Sequence, residues 1–399
     1  MTTTNNNEHK KLNVPNIRFP EFSGEWEEST IGEEFDLYSG NTPSRLNKEH
    51  FNGAINWISS GELKEHYIAD TKEKISDEAA KNLKMLPIGT FVIAIYGLEA
   101  DGVRGTGSIT KSESTISQAC MAFTTKGKVQ NEFLYSWYKK HGNIIGIRYA
   151  QGTKQQNLSY DIIEKFKIAY PAFQEQEKLN KFIALLDERI AIQSKIIEEL
   201  KKLKSAIIEK EYRHKAKSTS HIGDFIEQIS KRNKDRAIQN VLSVSNRQGF
   251  IQQSEQFENR SVASDDTSNY KIVERNHFAF NPARINVGSI ARLTTFERGI
   301  VSPMYICFRT KDSLSPEYLD YYFESKQFFT EIQKRLEGSV RQCLSFEGLS
   351  NIPLCVPAVE IQQQIGKRLS ALAQEIKLES DFFELLQKQK KFLLHKMFI

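Results

Sequence analysis

From Leu179 onward the apolar residues step by four and three: Leu179, Ile183, Leu186, Ile190, then Ile197, Leu200 and Ile207. No proline or glycine occurs between Pro171 and Gly223. That spacing predicts one long helix with a coiled-coil seam. Glu175 to Glu211 would run about 55 Å at the usual helical rise. The pattern returns at Ile365, Leu369, Leu372, Ile376, Phe383, Leu386 and Leu393. Elsewhere the periodicity changes. Short β-type runs such as "FVIAIY" and "MYICFR" mix with helical stretches such as "SPEYLDYYFESKQFFTEIQKRL", and polar, glycine-bearing loops lie between. The expectation is two α/β (α+β) globules of about 150 residues, each followed by a long helix.

The two helices belong to a larger repeat. "GTKQQNLSYDIIEKFKIAYP" from Gly152 and "GSVRQCLSFEGLSNIPLCVP" from Gly338 align without a gap, pairing Gly152 with Gly338, Gln156 with Gln342, and Leu158-Ser159 with Leu344-Ser345. The same register, 186 residues from Pro171 to Pro357, then pairs Gln176 with Gln362, Lys181 with Lys367 and Leu186 with Leu372. Upstream the likeness is weaker but ordered: "NEFLYSWY" parallels "PEYLDYYF", "GSIT" parallels "GSIA", and "TIGEEF" parallels "HIGDFI". The chain is therefore a tandem duplicate with a variable front and a better-kept rear in each copy. Both seams are interrupted at equivalent places, Gln193 with Glu379 and Lys204 with Lys390. If the helices pair antiparallel with Leu186 beside Leu386, Gln193 falls beside Glu379. A polar pair there would penalise slipped registers; the alternative is that both side chains tilt to solvent.

Composition narrows the class. The 399 residues exceed one ordinary core, and 39% hydrophobic with 26% charged residues suits a soluble globular protein. No apolar run reaches the length of a membrane span, and "MTTTNNNEHKK" reads as a polar tail rather than a signal peptide, so a cytoplasmic location is expected. Cys120, Cys307, Cys343 and Cys355 form no CxxC pair and read as free thiols mostly in apolar runs. No His/Cys cluster has zinc-ligand spacing. The formal charge of +5 is only a weak pointer to nucleic acid.

Catalytic motifs are missing. There is no P-loop and no HExxH, and "DGVRGTGS" lacks the GxGxxG spacing. "NPAR" at Asn281 approaches the Asn-Pro-Pro-aromatic motif of adenine methyltransferases, but Ala283-Arg284 replaces the required proline and aromatic residue. What remains are loops suited to DNA: "SGNTPSR" at Ser39, "GTKQQN", "KRNKDR" at Lys231, "FNPARINVGSIAR" at Phe280 and "GSVRQC". Arg bonds guanine through two donors, Asn or Gln does so with adenine, and Lys chiefly holds phosphate. The candidate contacts are Arg45, Arg104, Lys154 and Gln155 in the first copy. In the second they are Lys231, Arg232, Asn281, Arg284, Arg292 and Arg341. The candidate spacer residues are Leu186, Ile190, Gln193 and Leu200 with Leu372, Ile376, Glu379 and Leu386.

At this point the chain resembles the DNA-specificity subunit of a type I restriction-modification system, from "IRFPEF" at Ile17 to the C-terminus. The "GTKQQNLS…FKIAYPAFQEQEKL" passage followed by a heptad helix carries the likeness, with "NPARINVGSIAR…GIVSP" beside it. The resemblance implies a polar tail (1–15), a first target-recognition domain (16–173), a central helix (174–213), a second target-recognition domain (214–357) and a C-terminal helix (358–399). It implies that each domain reads one half of a split, asymmetric DNA site. It also implies that the two helices form an antiparallel coiled coil with pseudo-two-fold symmetry, a spacer for the unread gap. Two methyltransferase subunits and restriction/translocase subunits would bind the chain and bring S-adenosylmethionine, ATP and Mg; none is expected on the chain itself. Two rivals stay open: an assembly scaffold without sequence preference on DNA, and an orphan methyltransferase, which would bind S-adenosylmethionine alone.

Overall fold

The helices announced by the periodicity span Phe173–Glu211 and Val359–Met397, 39 residues each. The structure, a computed structural model, describes residues 12–100, 102–152, 156–213, 220–246, 248–253, 266–338 and 342–399. It divides into two units: the chain up to Gln193 joined by Phe382–Ile399, and Ser194–Asp381. Both cuts fall inside the long helices, so each unit owns one end of each helix.

The first unit begins with β1 (Glu27–Thr30), α1 (Ile31–Glu34), β2 (Phe35–Ser39), β3 (Ile55–Ile58), β4 (Tyr67–Ile68), β5 (Lys74–Ile75) and α2 (Asp77–Ala80). It continues through β6 (Phe91–Ala94), β7 (Gly107–Thr110), β8 (Ser114–Ile116), β9 (Cys120–Thr125), α3 (Asn131–Tyr149), α4 (Tyr160–Ile163) and β10 (Lys167–Tyr170) into α5 (Phe173–Glu211). Its main sheet has the order β2-β9-β6-β7-β4, beside a three-stranded sheet β5-β3-β8. The four residues of β6 are all buried, as an uninterrupted apolar run requires of a strand covered on both faces. Phe133, Leu134, Trp137, Tyr138 and Ile145 of α3 bury against this core. Leu179, Ile183 and Leu186 of α5 join it with Leu393, Leu394, Met397 and Phe398. Asp187 meets Lys390 and Arg189 lies over the Phe382 ring, so the two helix segments run antiparallel within this unit.

The second unit holds α6 (Ile222–Phe225), β11 (Ile226–Ile229), β12 (Val241–Ser245), β13 (Gly249–Gln252), β14 (Lys271–Glu274) and β15 (Phe278–Phe280). It goes on with β16 (Ile290–Arg292), β17 (Arg298–Val301), β18 (Ile306–Thr310), α7 (Pro316–Tyr322), α8 (Lys326–Gln333) and α9 (Phe346–Ser350), and then enters α10 (Val359–Met397). Two four-stranded sheets, β11-β18-β15-β16 and β13-β12-β17-β14, form its body. Ile207 and Ile208 of α5, with Tyr212 just past its end, pack with Ile365 and Leu369 of α10 against the aromatic residues of α7.

The residues repeated between the copies are those that lock helix to domain. Gln176 is fully buried; its Oε1 accepts the Gln130 N–H (2.9 Å), and its Nε2 donates to the carbonyls of Lys128 and Pro171 (2.9 Å each). Gln362 repeats the arrangement: it accepts from Ser315 N–H (2.7 Å) and donates to Ser313 (3.0 Å) and Pro357 (2.8 Å). A buried amide with its oxygen and both amino hydrogens satisfied stitches the start of α3, or of α7, to the turn before the long helix. Gly32 and Gly223 also recur for a reason: a Cβ there would lie 3.0 Å from Glu164 Cβ or 2.8 Å from Ser350 Cβ, in the short helix that each glycine abuts.

All the seam positions are buried or half-buried, Gln193 at 6% exposure and Glu379 half-buried among them. The seam lysines are equivalent in burial, with 17% of the Lys204 side chain and 18% of the Lys390 side chain exposed. Each is paired within its own unit, Lys204 with Glu324 and Lys390 with Asp187. Cys120 and Cys307 are buried, and burial pushes both thiols up to about 12. Cys355, by contrast, is exposed.

Candidate nucleic-acid interface

In the first unit the register pairs Ser39 with Met121 and Ala94 with Cys120. The C-terminal ends of β2 and β6 therefore lie at one end of the sheet, beside the start of β9. The segment after β2 and the β6–β7 connection both leave from that end. A third loop is tied to it, because Leu158 N–H donates to the Ile95 carbonyl (2.8 Å). This third loop is closed by a bridge between Gln151 and Asn157, and Gly152 sits inside it with φ +109°, a conformation open to glycine.

The second unit builds the same end. Ile229 pairs with Cys307 and Phe280 with Ile306, so the segments after β11 and β15 emerge together. Leu344 N–H donates to the Pro282 carbonyl (3.0 Å), the counterpart of the Leu158–Ile95 bond. A bridge between Glu337 and Cys343 closes the third loop around Gly338, φ +104°. Three loops thus converge at one sheet end in each unit, although they are far apart in sequence.

The candidate residues can now be placed. Arg45 lies in the loop after β2, its side chain 57% exposed and forked onto Glu73 by two 2.9 Å bonds, with its guanidinium over the Phe51 ring. The Glu73 carboxylate holds the Arg45 guanidinium above its ordinary range and is itself held below the usual carboxylate range. Arg104 lies in the β6–β7 loop and donates to Gln156 Oε1 (2.7 Å), while Gln156 N–H donates to Glu99 (2.7 Å). Lys231 and Arg232 are exposed after β11; Arg232 donates to Asn269 (2.9 Å). Arg284 is exposed in the β15–β16 loop, and its side chain has no partner among the described residues. Lys154, Gln155 and Arg341 lie outside the described residues.

Two candidates need correction. Asn281 starts the β15–β16 loop but is buried, its side-chain oxygen accepting the Ala283 N–H (3.1 Å); it shapes the loop from inside. Arg292 is at the end of the sheet opposite the three loops, because the register pairs it with Phe278, the first residue of β15. There it bonds Asp320 (3.1 Å) on α7 and Asn276 (3.2 Å), with Glu317 at 4.0 Å, and it joins sheet to helix.

A cluster that the sequence did not reveal joins the first domain to its helices. His66 is sandwiched between the rings of Tyr67 and Tyr135, each at 4.0 Å. Its ring nitrogens face Glu132 of α3 (2.9 Å) and Asp187 of α5 (3.6 Å), and Asp187 in turn meets Lys390. Burial works against the His66 charge, but Asp187 and then Glu132 outweigh it and raise its pKa. No signal in the second copy pointed to this histidine. Among the described residues no group of three His, Cys, Asp or Glu side chains is placed to hold a metal ion. No described helix is long and apolar enough to cross a membrane.

A sheet domain with three loops at one end and a long helix behind it, written twice, defines the architecture. The chain belongs to the type I restriction modification DNA specificity domain family, whose pattern matches residues 23–202 and 218–387. It is similar to the type I restriction enzyme MjaVIII specificity subunit of Methanocaldococcus jannaschii, 20% identical over 414 aligned residues covering 95% of this chain and 92% of the relative. The MjaIX specificity subunit of the same organism is 26% identical over 185 residues, spanning 45% of this chain and 42% of that relative. In fold it resembles the S subunit of the type I restriction-modification system from M. genitalium, with TM-score 0.60, 15% identity and coverage of 97% of this chain and 99% of that one. A structure described as underlying complex assembly and conformational transition of the type I R-M system gives TM-score 0.57 at 14% identity, covering 93% and 97%.

Proposed function

We propose that this chain is the sequence-reading subunit of a type I restriction-modification assembly, with each unit reading one half of a split, asymmetric DNA site. The observation that carries the reading is the pair of loop ends. Both are built by the same strand register and the same closing glycine, yet their exposed side chains differ, as two readers of different half-sites require. Family membership supports the DNA-specificity role. Methyl transfer to adenine and restriction are assigned to partner subunits, together with S-adenosylmethionine, ATP and Mg. Flipping an adenine out of the duplex falls to those partners as well.

The long helices supply a surface for such partners. Besides its seam, α5 exposes Leu185, Ile192, Ile196 and Leu203, and α10 exposes Leu378, Phe382, Leu385 and Phe392. Many of these recur seven residues apart, the spacing of a second stripe onto which further helices could pack. The test is a methylome. The chain is co-expressed with its modification partner in a host lacking adenine methylation, and the genome is read with modification-sensitive sequencing. One split motif with methyladenine in both halves is expected. An unmethylated genome, with the complex shown to assemble, would overturn the reading.

A further inference from the structure

Leu46 is 98% exposed, more than any other large apolar side chain among the described residues. It lies in the loop after β2, at the reading end of the first unit. A leucine left in water is commonplace on a mobile loop, but this loop is pinned on both sides. Asn47 N–H donates to the Ser44 carbonyl (3.3 Å), and the Asn47 side chain accepts the Glu49 N–H (3.1 Å), capping a single turn at Lys48–Phe51. The His50 ring bonds the Ser44 carbonyl (3.2 Å). Arg45 forks onto Glu73 and covers Phe51, which packs edge-on to Trp57, whose indole N–H donates to the Asn41 carbonyl (3.1 Å). The side chains of Arg45, Asn47 and His50 around Leu46 are tied down, and Leu46 is held out.

We propose that Leu46 is an apolar wedge that enters the base stack of the bound duplex, with Arg45 as the strut that aims it. The inference rests on the DNA-reading role proposed above and names how that site treats its target. Wedges of this kind unstack one base step and kink the duplex toward its major groove. Specificity then comes from how easily that step deforms. The surroundings favour a base step over a protein partner. The adjacent residues Ser44, Arg45, Asn47 and Lys48 are polar and exposed, so no apolar patch extends from Leu46. A protein hot spot needs such a patch, whereas a base step takes a single side chain. Lys48 stands beside it, free to meet phosphate. The second unit lacks the feature: eleven residues past Phe35 stands Leu46, and eleven past Ile226 stands Ala237.

The test uses the chain assembled with its modification partner and duplexes carrying the site found by the methylome. 2-Aminopurine is placed at successive steps through and beside the first half-site. Fluorescence should rise several-fold at one step with the native chain. Leu46→Ala should abolish that rise and weaken binding roughly tenfold, while Leu46→Phe should keep it. An unchanged signal and affinity in Leu46→Ala would overturn the wedge and leave the DNA-reading role standing. So would loss of partner assembly in that variant, or a loss of affinity that thymine-to-uracil replacement reproduces without any unstacking signal. A native complex with no sequence preference on any duplex would instead remove the reading role, and the wedge with it.

Discussion

The two units fasten sheet to helix with different cations. In the first, His66 reaches Glu132 of α3 and Asp187 of α5. In the second, Arg292 reaches Asp320 and Glu317 of α7, and Glu317 accepts a hydrogen bond from Ser370 of α10. One joint depends on an imidazole, which can lose its charge, and the other on a permanent charge. The loop ends differ in a matching way. Arg104 is spent on Gln156 of the neighbouring third loop, whereas the Arg284 side chain has no partner among the described residues. Duplication preserved the frame, and each copy then settled its charges separately.

The largest expected effect tests what the copies share. Gln176→Ala or Gln362→Ala leaves three backbone groups without their side-chain partner, at about 1–3 kcal/mol for each that water cannot reach. A loss of roughly 3 kcal/mol in the local stability of the affected unit is expected. Hydrogen exchange of the full chain would detect it as weakened protection confined to that unit. Equal weakening in both units would contradict their independence.

Next comes the contrast between the loop arginines. Arg284→Ala should relax one half of the methylated motif, worth about 1–3 kcal/mol of discrimination if it grips a guanine. Arg104→Ala should lower occupancy of the site while leaving the bases of the motif unchanged, because it props the loop through Gln156. A methylome of each variant decides the matter, and a motif unaltered by Arg284→Ala would remove Arg284 from the readers.

The smallest effect is the pH response of the two joints. The folded pKa of His66 is raised, so its stabilising contribution is complete below its unfolded value of about 6.5 and fades as pH climbs through the raised value. The groups facing it include Glu132, Asp187, Lys390, Tyr67 and Tyr135. Lys139, which burial and then Lys390 lower to about 8, acts in the opposite sense: the folded state gains from about pH 8 upward. Exchange protection of α3 and Phe382–Ile399 should fall as pH climbs through the raised His66 value, and the Arg292 joint should not respond. In His66→Gln that fall should vanish; a fall of equal depth in that variant would acquit His66.

Much of this was legible in the sequence, and the limits have physical causes. The seam could be read because apolar spacing of three and four residues is a local property of one helix. Gln176 and Gln362 stood out as the same residue in both copies, but their role depends on carbonyls contributed by another segment. The loops carrying Arg45, Arg104, Lys231 and Arg284 were found from composition, and strand pairing then gathered them at shared ends. The sequence did not show that Arg292 would lie opposite the loops, because a strand's sequence does not say which of its ends its neighbour's loop will occupy. His66 gave no signal at all: its partners lie 66 residues away at Glu132 and farther still at Asp187.

The core of the first unit includes Leu394, Met397 and Phe398, while the second unit is a single continuous stretch, Ser194–Asp381. On a ribosome the core of the first domain to emerge cannot be completed until the last helix is made, whereas the second unit is whole before then. Completion of the two cores therefore runs against the order of synthesis. The waiting domain exposes apolar surface for the time needed to make about 200 further residues, some 10–40 s at ordinary elongation rates.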